Sequence, residues 1–446
     1  MNYNGKQVAV LGLGRSGEAA ALLLVGLGAD VTLLDDSRNA DGFRQKAEMF
    51  QGMGVRVCTG EAGEAATLEC AFDLAVLSPG IDPRVALVQN LIHRHVPVIA
   101  EIELAYQHCS RPIIGITGTN GKTTTTELVF SMLTQAGVAT VAGGNIGKPF
   151  SEIINQGSDA YDLITLEVSS FQLERIRQFR PAISVWLNLA PDHLDRYSNT
   201  QEYRASKLRI FENQTLEDYA VVNFRDNLPS LAARRLTFSA YEVGGDLDLR
   251  GDVIHYKGNA LLDQRQTGLR GKHNAENLMA ALGVGLAQGL SPTQMSPGLC
   301  AYRPAPHRCE VIRELGGVLY INDSKSTNID SLEKAILSVD DHRPIVLLAG
   351  GKDKGFSYES ISALVQARTR WVVVIGEMAS RIAQIWSPLV PCEQAETLEQ
   401  AVRIAWGIAQ SGDAVLFSPG TSSFDMFKNY ADRGERFRQH VLNLPS

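Results

Sequence analysis

Alternating strands and helices, two glycine-rich strand-to-helix turns and a length of 446 residues predict an α/β chain of three domains. The length exceeds that of one ordinary domain. The alternation of short apolar runs with helical patterns indicates βαβ units on parallel sheets. Each glycine-rich turn aims backbone N–H groups, and the positive end of a helix, at one spot suited to an anion. The pattern restarts near residues 101 and 305, which gives segments of about 1–100, 101–304 and 305–446; no low-complexity linker separates them.

In the first segment "QVAVLGLG" reads as a buried strand, "EAAALLLVGLG" as a helix, "DVTLLDD" as a second strand and "FDLAVLSPG" as a later one. Gly12, Gly14 and Gly17 form G-x-G-x-x-G, and Asp35 and Asp36 follow about 20 residues on. A Rossmann-like dinucleotide fold is the direct reading, with a ligand-free tight turn as the plain alternative.

The central segment opens on a short apolar run, Pro112-Ile113-Ile114, followed by "GITGTNGKTTTTEL" and a helical pattern. The strict phosphate-loop spacing is not met, because Ile116 stands five before Gly121. The shorter T-G-T-N-G-K-T still places Lys122 as a mobile cation for terminal phosphates and Thr123 as a hydroxyl for Mg²⁺. ATP is the expected ligand. Glu167 ends the strand in "DLITLEVSSFQLE", where a carboxylate can hold Mg²⁺. Asp192 and His193 lie past "AISVWLNLAP", and read singly they are ordinary loop residues. "NTQEYRASKLRIFEN" predicts a helix with Asn199 or Thr200 as N-cap, on which Lys207 reads as part of a solvated basic face. "GKHNAENLMAALGVGLAQG" predicts another, with Asn274 and Asn277 three apart on one face.

In the last segment "GGVLYINDSKSTN", "PIVLLAGGKDKG", "WVVVIGE" and "AVLFSPGTSSFDMF" each end an apolar run in polar or glycine-rich residues. Ligands of open parallel sheets sit beyond such strand ends, so a second ligand-binding α/β domain is expected. Asp323, Lys325, Thr327 and Asn328 crowd one turn, with Lys352 and Lys354 in another, an arrangement suited to anionic groups. Capping alone explains Asp323 and Thr327, but not the lysines. His307 and Arg308 fall at the presumed hinge, where an arginine could reach ATP as domains close.

Bulk properties narrow the class. Hydrophobic residues are 44% and charged residues 20%, ordinary for a folded chain, and the net charge of −7 argues against nucleic-acid binding through phosphate neutralisation. Six scattered cysteines with no C-x-x-C pair point away from a zinc site or disulfide framework. "AALLLVGLG" is too short to span a bilayer, and "MNYNGKQVAVLGLG" runs straight into a strand without signal-peptide features. A cytoplasmic monomer is expected.

Together the motifs "GLGRSG", "SPGI", "TGTNGKTT", "GGNIG", "LEVSSFQLE", "DHLDRY", "YRASK", "HNAEN", "PHRCE", "DSKSTN" and "SPGTSSFDMFKNYADRGE" resemble the Mur ligases, in family order and over nearly the whole chain. These are the ATP-dependent amino-acid-adding enzymes of peptidoglycan precursor synthesis. The resemblance implies that the Rossmann-like first domain takes the UDP of UDP-N-acetylmuramoyl-L-alanine rather than NAD. Arg15, Ser16, Asp35 and Ser37 or Arg38 would then surround the uridine, while Ser78, Pro79, Gly80, Asn145 and His193 would meet the diphosphate and sugar. ATP would be held by Gly118, Thr119, Asn120, Gly121, Lys122, Thr123 and Thr124, with Asn277, Arg308, Asp323 and Lys325. Two Mg²⁺ sites are implied, with Thr123, Glu167, His193 and Lys207 as ligands, Lys207 as a carbamate formed from CO₂. Thr327, Lys354, Ser423 and Tyr430 fall where the incoming D-glutamate is expected.

By this resemblance the γ-phosphoryl of ATP passes to the alanyl carboxylate, the amine of D-glutamate attacks the acyl phosphate, and phosphate leaves as the amide forms. "SPGTSS" departs from the commoner form of that turn, Tyr430 stands where Phe is frequent, and Lys352 could exchange roles with Lys354. A folylpolyglutamate-type ligase normally has G-K-G-S where Gly121-Lys122-Thr123 stands. The diaminopimelate- or lysine-adding ligase carries a D-N-P-R motif absent here. A non-catalytic NAD- and ATP-sensing protein would explain both glycine-rich loops, but not Glu167, His193 and Lys207 between them.

Overall fold

The computed structural model describes residues 2–35, 44–193, 196–304, 306–340 and 342–445. Ser37, Arg38 and Asp36 lie outside the described residues. The described elements form three sheets. By internal packing the chain divides into two compact units, Met1–Leu189 with Arg196–Asp263 and Glu276–Ala301, and Ala190–Asp195 with Gln264–Ala275 and Tyr302–Ser446.

The first unit holds two sheets. Strands β1 (Gln7–Leu11), β2 (Asp30–Asp35), β3 (Arg56–Thr59), β4 (Leu74–Leu77) and β5 (Val98–Ala100) make a parallel sheet in the order 3-2-1-4-5. Its centre is a continuous apolar run because both faces are covered. Val8, Val10 and Leu33 pack with Leu24 on one face, whereas Ala9, Leu11 and Leu34 pack with Leu87 and Leu91 on the other. Order reverses between β1 and β4, so the crevice beyond their carboxyl ends is the natural ligand site. There the "GLGRSG" turn feeds the helix Arg15–Gly26. Gly17 is obligatory for this close packing: a Cβ on it would stand 1.7 Å from the Gly12 carbonyl oxygen.

The second sheet runs β14-β13-β12-β11-β10-β9-β6-β8-β7. Its parallel part comprises β6 (Ile113–Thr117), β7 (Thr140–Gly144), β8 (Leu163–Glu167), β9 (Ile183–Trp186), β10 (Tyr219–Asn223), β11 (Arg234–Ser239) and β12 (Leu247–Arg250). The strands β13 (Val253–Tyr256) and β14 (Asn259–Asp263) add an antiparallel edge. These last five strands, from residue 219 onward, are not among those the sequence pattern picks out, because their apolar runs are short and interleaved with charge. The phosphate loop sits between β6 and the helix Lys122–Gln135, and Glu167 is the last residue of the adjacent β8.

In the second unit β15 (Glu310–Leu315), β16 (Val318–Asn322), β17 (Ile345–Gly350), β18 (Thr369–Ile375), β19 (Cys392–Gln394) and β20 (Ala414–Phe417) form a sheet in the order 15-16-20-17-18-19, parallel except for β15. Apolar clusters cover both faces, one around Leu332, Ile336 and Trp386, the other around Leu398, Val402 and Phe437. The "DSKSTN" and "SPGTSS" turns therefore leave neighbouring strands, β16 and β20, at the same end.

Candidate active site

The phosphate loop is held by contacts within its own unit. Gly121 is the N-cap of the helix Lys122–Gln135 with φ of 84°, and a Cβ there would fall 2.3 Å from Asn277 Oδ1. Only glycine meets both demands. Asn188, just past β9, braces the loop from beneath. Its carbonyl accepts from Thr119 N at 3.0 Å, its Oδ1 accepts from Asn120 N at 2.9 Å, and its Nδ2 donates to the Asn120 carbonyl at 3.0 Å. Neither the loop motif nor the resemblance points to Asn188; its place at the end of a parallel strand is the signal that could have found it. Lys122 Nζ folds back to the carbonyls of Gly118 and Thr119 at 2.9 and 2.8 Å, a position from which it can be released to a phosphate. Thr124 is buried in the first turn of the helix.

Beside the loop lies a pair of oxygen donors. Thr123 Oγ1 donates to Glu167 Oε2 at 2.7 Å, and Asn145 Nδ2 donates to Glu167 Oε1 at 2.8 Å. Glu167 is only 2% exposed, so the solvated surface charge that a strand-end glutamate suggests is not what stands here. A hydroxyl and a carboxylate at the edge of a phosphate loop suit a hard divalent cation that keeps most of its ligands from water and phosphate. Among the described residues no three His, Cys, Asp or Glu side chains form a closed metal cage.

Lys207 is not on a solvated face. It is 1% exposed, its Nζ donates to the Gly118 carbonyl at 2.8 Å and lies 4.7 Å from the centre of the Tyr203 ring. The helix Thr200–Leu208 that carries it is capped by Asn199, whose side chain accepts from Glu202 N at 2.9 Å; Thr200 is not the cap. Two lysine Nζ atoms thus share one carbonyl oxygen. Asn277 meets the same loop, accepting from Thr125 Oγ1 at 3.3 Å, whereas Asn274 turns to the Arg270 carbonyl at 2.9 Å.

At the N-terminal crevice Asp35 is buried and its Oδ2 accepts from Leu13 N at 2.8 Å, so it shapes the "GLGRSG" turn directly. Ser78 is buried under the same turn, its Oγ without a hydrogen-bond partner among the described residues. Ser16 is half-buried and Gly80 exposed at the crevice. Arg15 is exposed and 3.7 Å from Glu152. The Pro79 carbonyl accepts from Arg196 Nη1 at 3.1 Å.

His193 belongs to the short segment grouped with the second unit, with a left-handed φ of 55° and its N–H bonded to Asp192 Oδ1 at 2.9 Å. Asp192 Oδ2 accepts from Asn328 Nδ2 at 3.1 Å. Asn328 also caps the helix Ile329–Ser338 in a capping box with Ser331, so neither Asp323 nor Thr327 is needed as a cap. Asp323 is buried, accepting from Ser418 Oγ at 2.9 Å and Cys309 N at 3.1 Å. Burial pushes its carboxyl up to about 6, against the pull of those hydrogen bonds and of Arg308. Lys325 Nζ lies 3.7 Å over the Tyr430 ring.

The β16 and β20 turns are joined by a residue the sequence does not single out. Arg433 is fully buried, donating through Nε to Ser324 Oγ at 3.0 Å, through Nη2 to the Ser324 carbonyl at 2.8 Å and through Nη1 to the Thr421 carbonyl at 3.1 Å. Ser423 is buried in the second turn and Thr327 half-buried in the first, while Lys352 and Lys354 stay exposed, with Lys352 N bonded to the Ser422 carbonyl at 2.9 Å. The two turns thus bring hydroxyls and amides into one unit, flanked by flexible cations.

Three family models account for most of the chain: the Mur ligase MurD-like N-terminal domain over residues 6–100, the Mur ligase middle domain over 116–285 and the Mur ligase glutamate ligase domain over 307–420. The chain belongs to the Mur ligase family. Among Mur ligases it is similar to the UDP-N-acetylmuramoylalanine–D-glutamate ligase of Geotalea daltonii, 41% identical over 457 residues covering 100% of this chain and 99% of that protein. The enzyme of the same name from Geobacter metallireducens is also 41% identical, with the same coverage. Solved Mur ligase structures share the fold at lower identity. UDP-N-acetylmuramate–alanine ligase from Thermotoga maritima matches with a TM-score of 0.60 at 17% identity over 98% of this chain and 99% of that one. A pseudomurein peptide ligase type C from Methanothermus fervidus matches with 0.61 at 17% identity over 98% of this chain and 100% of that one.

Proposed function

We propose that this protein is an ATP-dependent acid–amino-acid ligase that adds D-glutamate to UDP-N-acetylmuramoyl-L-alanine, releasing ADP and phosphate, in peptidoglycan precursor synthesis. The end-to-end alignment with D-glutamate-adding Mur ligases, at 41% identity over 100% of this chain, carries the reading. The chemistry asks for a place where a nucleotide γ-phosphate meets a carboxylate. The loop 118–124 offers backbone N–H groups, a helix N-terminus and the Lys122 ammonium to that phosphate. Lys122 moves with the phosphoryl group as charge shifts toward the acceptor oxygen. The N-terminal crevice, with Ser78 and Asp35, and Asn145 beside Glu167 of the second sheet together orient the UDP-sugar so that its alanyl carboxylate meets the phosphate in line. The turns around Thr327, Lys354, Ser423 and Tyr430 hold the D-glutamate dianion with its amine directed at the acyl phosphate. Attack by that amine forms the C–N bond, breaks the C–O bond to phosphate and releases a proton.

Thr123 and Glu167 would hold Mg²⁺, with His193 and Lys207 serving a second site. When bound, Mg²⁺ neutralises charge on the transferring phosphoryl group. For Lys207 we favour the carbamate. Burial and the neighbouring Lys122 ammonium both work against a second positive charge at the Gly118 carbonyl, and a carbamate supplies oxygen ligands in its place. The described residues contain no helix long and apolar enough to cross a membrane. A cytoplasmic monomer is the state in which we expect the enzyme to act on its soluble substrates. Domain limits of 1–100, 101–304 and 305–446 are part of this proposal.

The test is an ATP-coupled assay of UDP-N-acetylmuramoyl-L-alanine against a panel of D- and L-amino acids. Phosphate release and a new amide are expected with D-glutamate. Equal release with any amino acid, or release without the UDP-sugar, would overturn the assignment.

A further inference from the structure

A buried ion pair links the "SPGI" turn after β4 to the helix that carries Lys207, and none of the motif readings gives it a role. Arg196, in "DHLDRY", has a side chain only 10% exposed. Its Nη1 donates to the carbonyls of Pro79 at 3.1 Å and Ile81 at 3.3 Å, and its Nη2 donates to Glu174 Oε2 at 2.7 Å. The guanidinium carbon lies 4.0 Å over the centre of the Phe171 ring. Glu174 takes a second charge-assisted bond from the Tyr197 hydroxyl at 2.6 Å, and that hydroxyl lies 3.4 Å from Ser206 Oγ. Ser206 in turn donates to the Ser170 carbonyl at 2.8 Å and precedes Lys207 in the chain.

The geometry is specific to an arginine. A planar fork reaches two carbonyls of one turn with one nitrogen and a carboxylate with the other, while its face lies on an aromatic ring; a lysine can do only part of this. Burying a guanidinium is costly, and here a carboxylate, two carbonyls and a ring offset that cost, although Nε has no partner among the described residues. What this fixes is the position of residues 79–81, at the carboxyl end of β4, relative to the helix Thr200–Leu208. Stability alone would be served as well by apolar packing. The placement of the link, between the proposed diphosphate turn and the Lys207 helix, argues for a functional purpose.

We infer that Arg196, held by Glu174, is a positioning residue for UDP-sugar binding: it sets the Pro79–Ile81 turn against the central domain so that the bound acceptor carboxylate lies in register with the phosphate loop. The inference rests on the reading that this turn receives the UDP-sugar diphosphate. Arg196 touches no reacting atom. Its loss should therefore weaken UDP-sugar binding and leave nucleotide binding intact.

The experiment is calorimetric titration of the full-length protein with UDP-N-acetylmuramoyl-L-alanine and, separately, with a non-hydrolysable ATP analogue. For Arg196→Met we expect a Kd for the UDP-sugar raised at least tenfold, with that for the nucleotide changed less than twofold. Arg196→Lys should recover part of the loss. Steady-state assays should show the same split, with KM for UDP-sugar rising far more than KM for ATP. Unchanged UDP-sugar affinity in Arg196→Met, or equal loss for both ligands, would overturn the inference. If the unaltered protein itself fails to bind UDP-sugar, it is the crevice assignment that falls, and the inference with it. Should Arg196→Met not fold, Glu174→Gln gives the same reading: amide exchange in residues 78–81 should accelerate several-fold, and unchanged exchange there counts against the link.

Discussion

Lys122 and Lys207 share the Gly118 carbonyl, yet the mechanism proposed above gives them opposite charges. Lys122 is the cation of the phosphate loop. Lys122→Ala should fold normally and lose about three or more powers of ten in turnover, as other phosphate clamps do; near-normal phosphate release in the coupled assay would remove the ATP-loop assignment. Lys207→Ala should be nearly inactive but folded if, as proposed, the position supplies an anionic oxygen through carbamylation. Acetate or another small carboxylic acid should restore part of that activity, and bicarbonate should not. Full activity of Lys207→Ala in CO₂-depleted buffer would return this lysine to a purely structural role. The helix pattern read by itself puts Lys207 on a solvated basic face, and its 1% exposure overturns that reading. Polar residues on an amphipathic stripe are read as solvated unless something polar lies opposite, and the Gly118 carbonyl is distant in sequence.

Elements explain how such residues are held. The "GLGRSG" turn and the helix Arg15–Gly26 approach so closely that Gly17 has no room for a methyl group. Gly17→Ala should push the helix off the turn and raise the KM for UDP-sugar by an order of magnitude or more, with the KM for ATP little changed. Parallel changes in both would mean that the substitution damages the unit as a whole. Glycine spacing and the parallel-strand pattern made this turn legible, because both arise from local backbone geometry. The braces were not legible. Asn188 under the phosphate loop and Arg433 between the β16 and β20 turns are polar residues whose partners come from other elements. No local periodicity encodes a side chain that satisfies a carbonyl more than a hundred residues away, as Arg433 does for Ser324.

Over the whole molecule, stability should carry the signature of buried charge. Asp323 has its carboxyl pushed up to about 6 from the ordinary 3.8 by burial. Below pH 4 it is protonated in both states and costs nothing. As pH rises, the unfolded chain releases this proton first, so the native state binds more protons between pH 4 and 6 and stability falls across that window. Linkage puts the total at about 3 kcal/mol, lost by pH 7. Denaturant titrations from pH 4 to 7 should therefore show Asp323→Asn with a flatter decline than the unaltered protein. The same slope in both would show that Asp323 is ionised at no penalty.

By itself the sequence determined the class of fold, the two glycine-rich turns and the strand ends that carry polar residues. Each follows from local rules: apolar runs buried on both faces, glycine where a Cβ cannot fit, charge beyond a strand's carboxyl end. It also determined the family, since motifs in a fixed order need no geometry to be recognised. Tertiary structure alone decided that Glu167 and Lys207 are buried, that Asn199 caps the Lys207 helix while Asn328 caps the helix after the "DSKSTN" turn, and that Arg196 bonds to a turn 115 residues earlier. Burial and long-range hydrogen bonds depend on which surfaces meet. That is settled when the sheets close over their helices, not by any stretch of chain read alone.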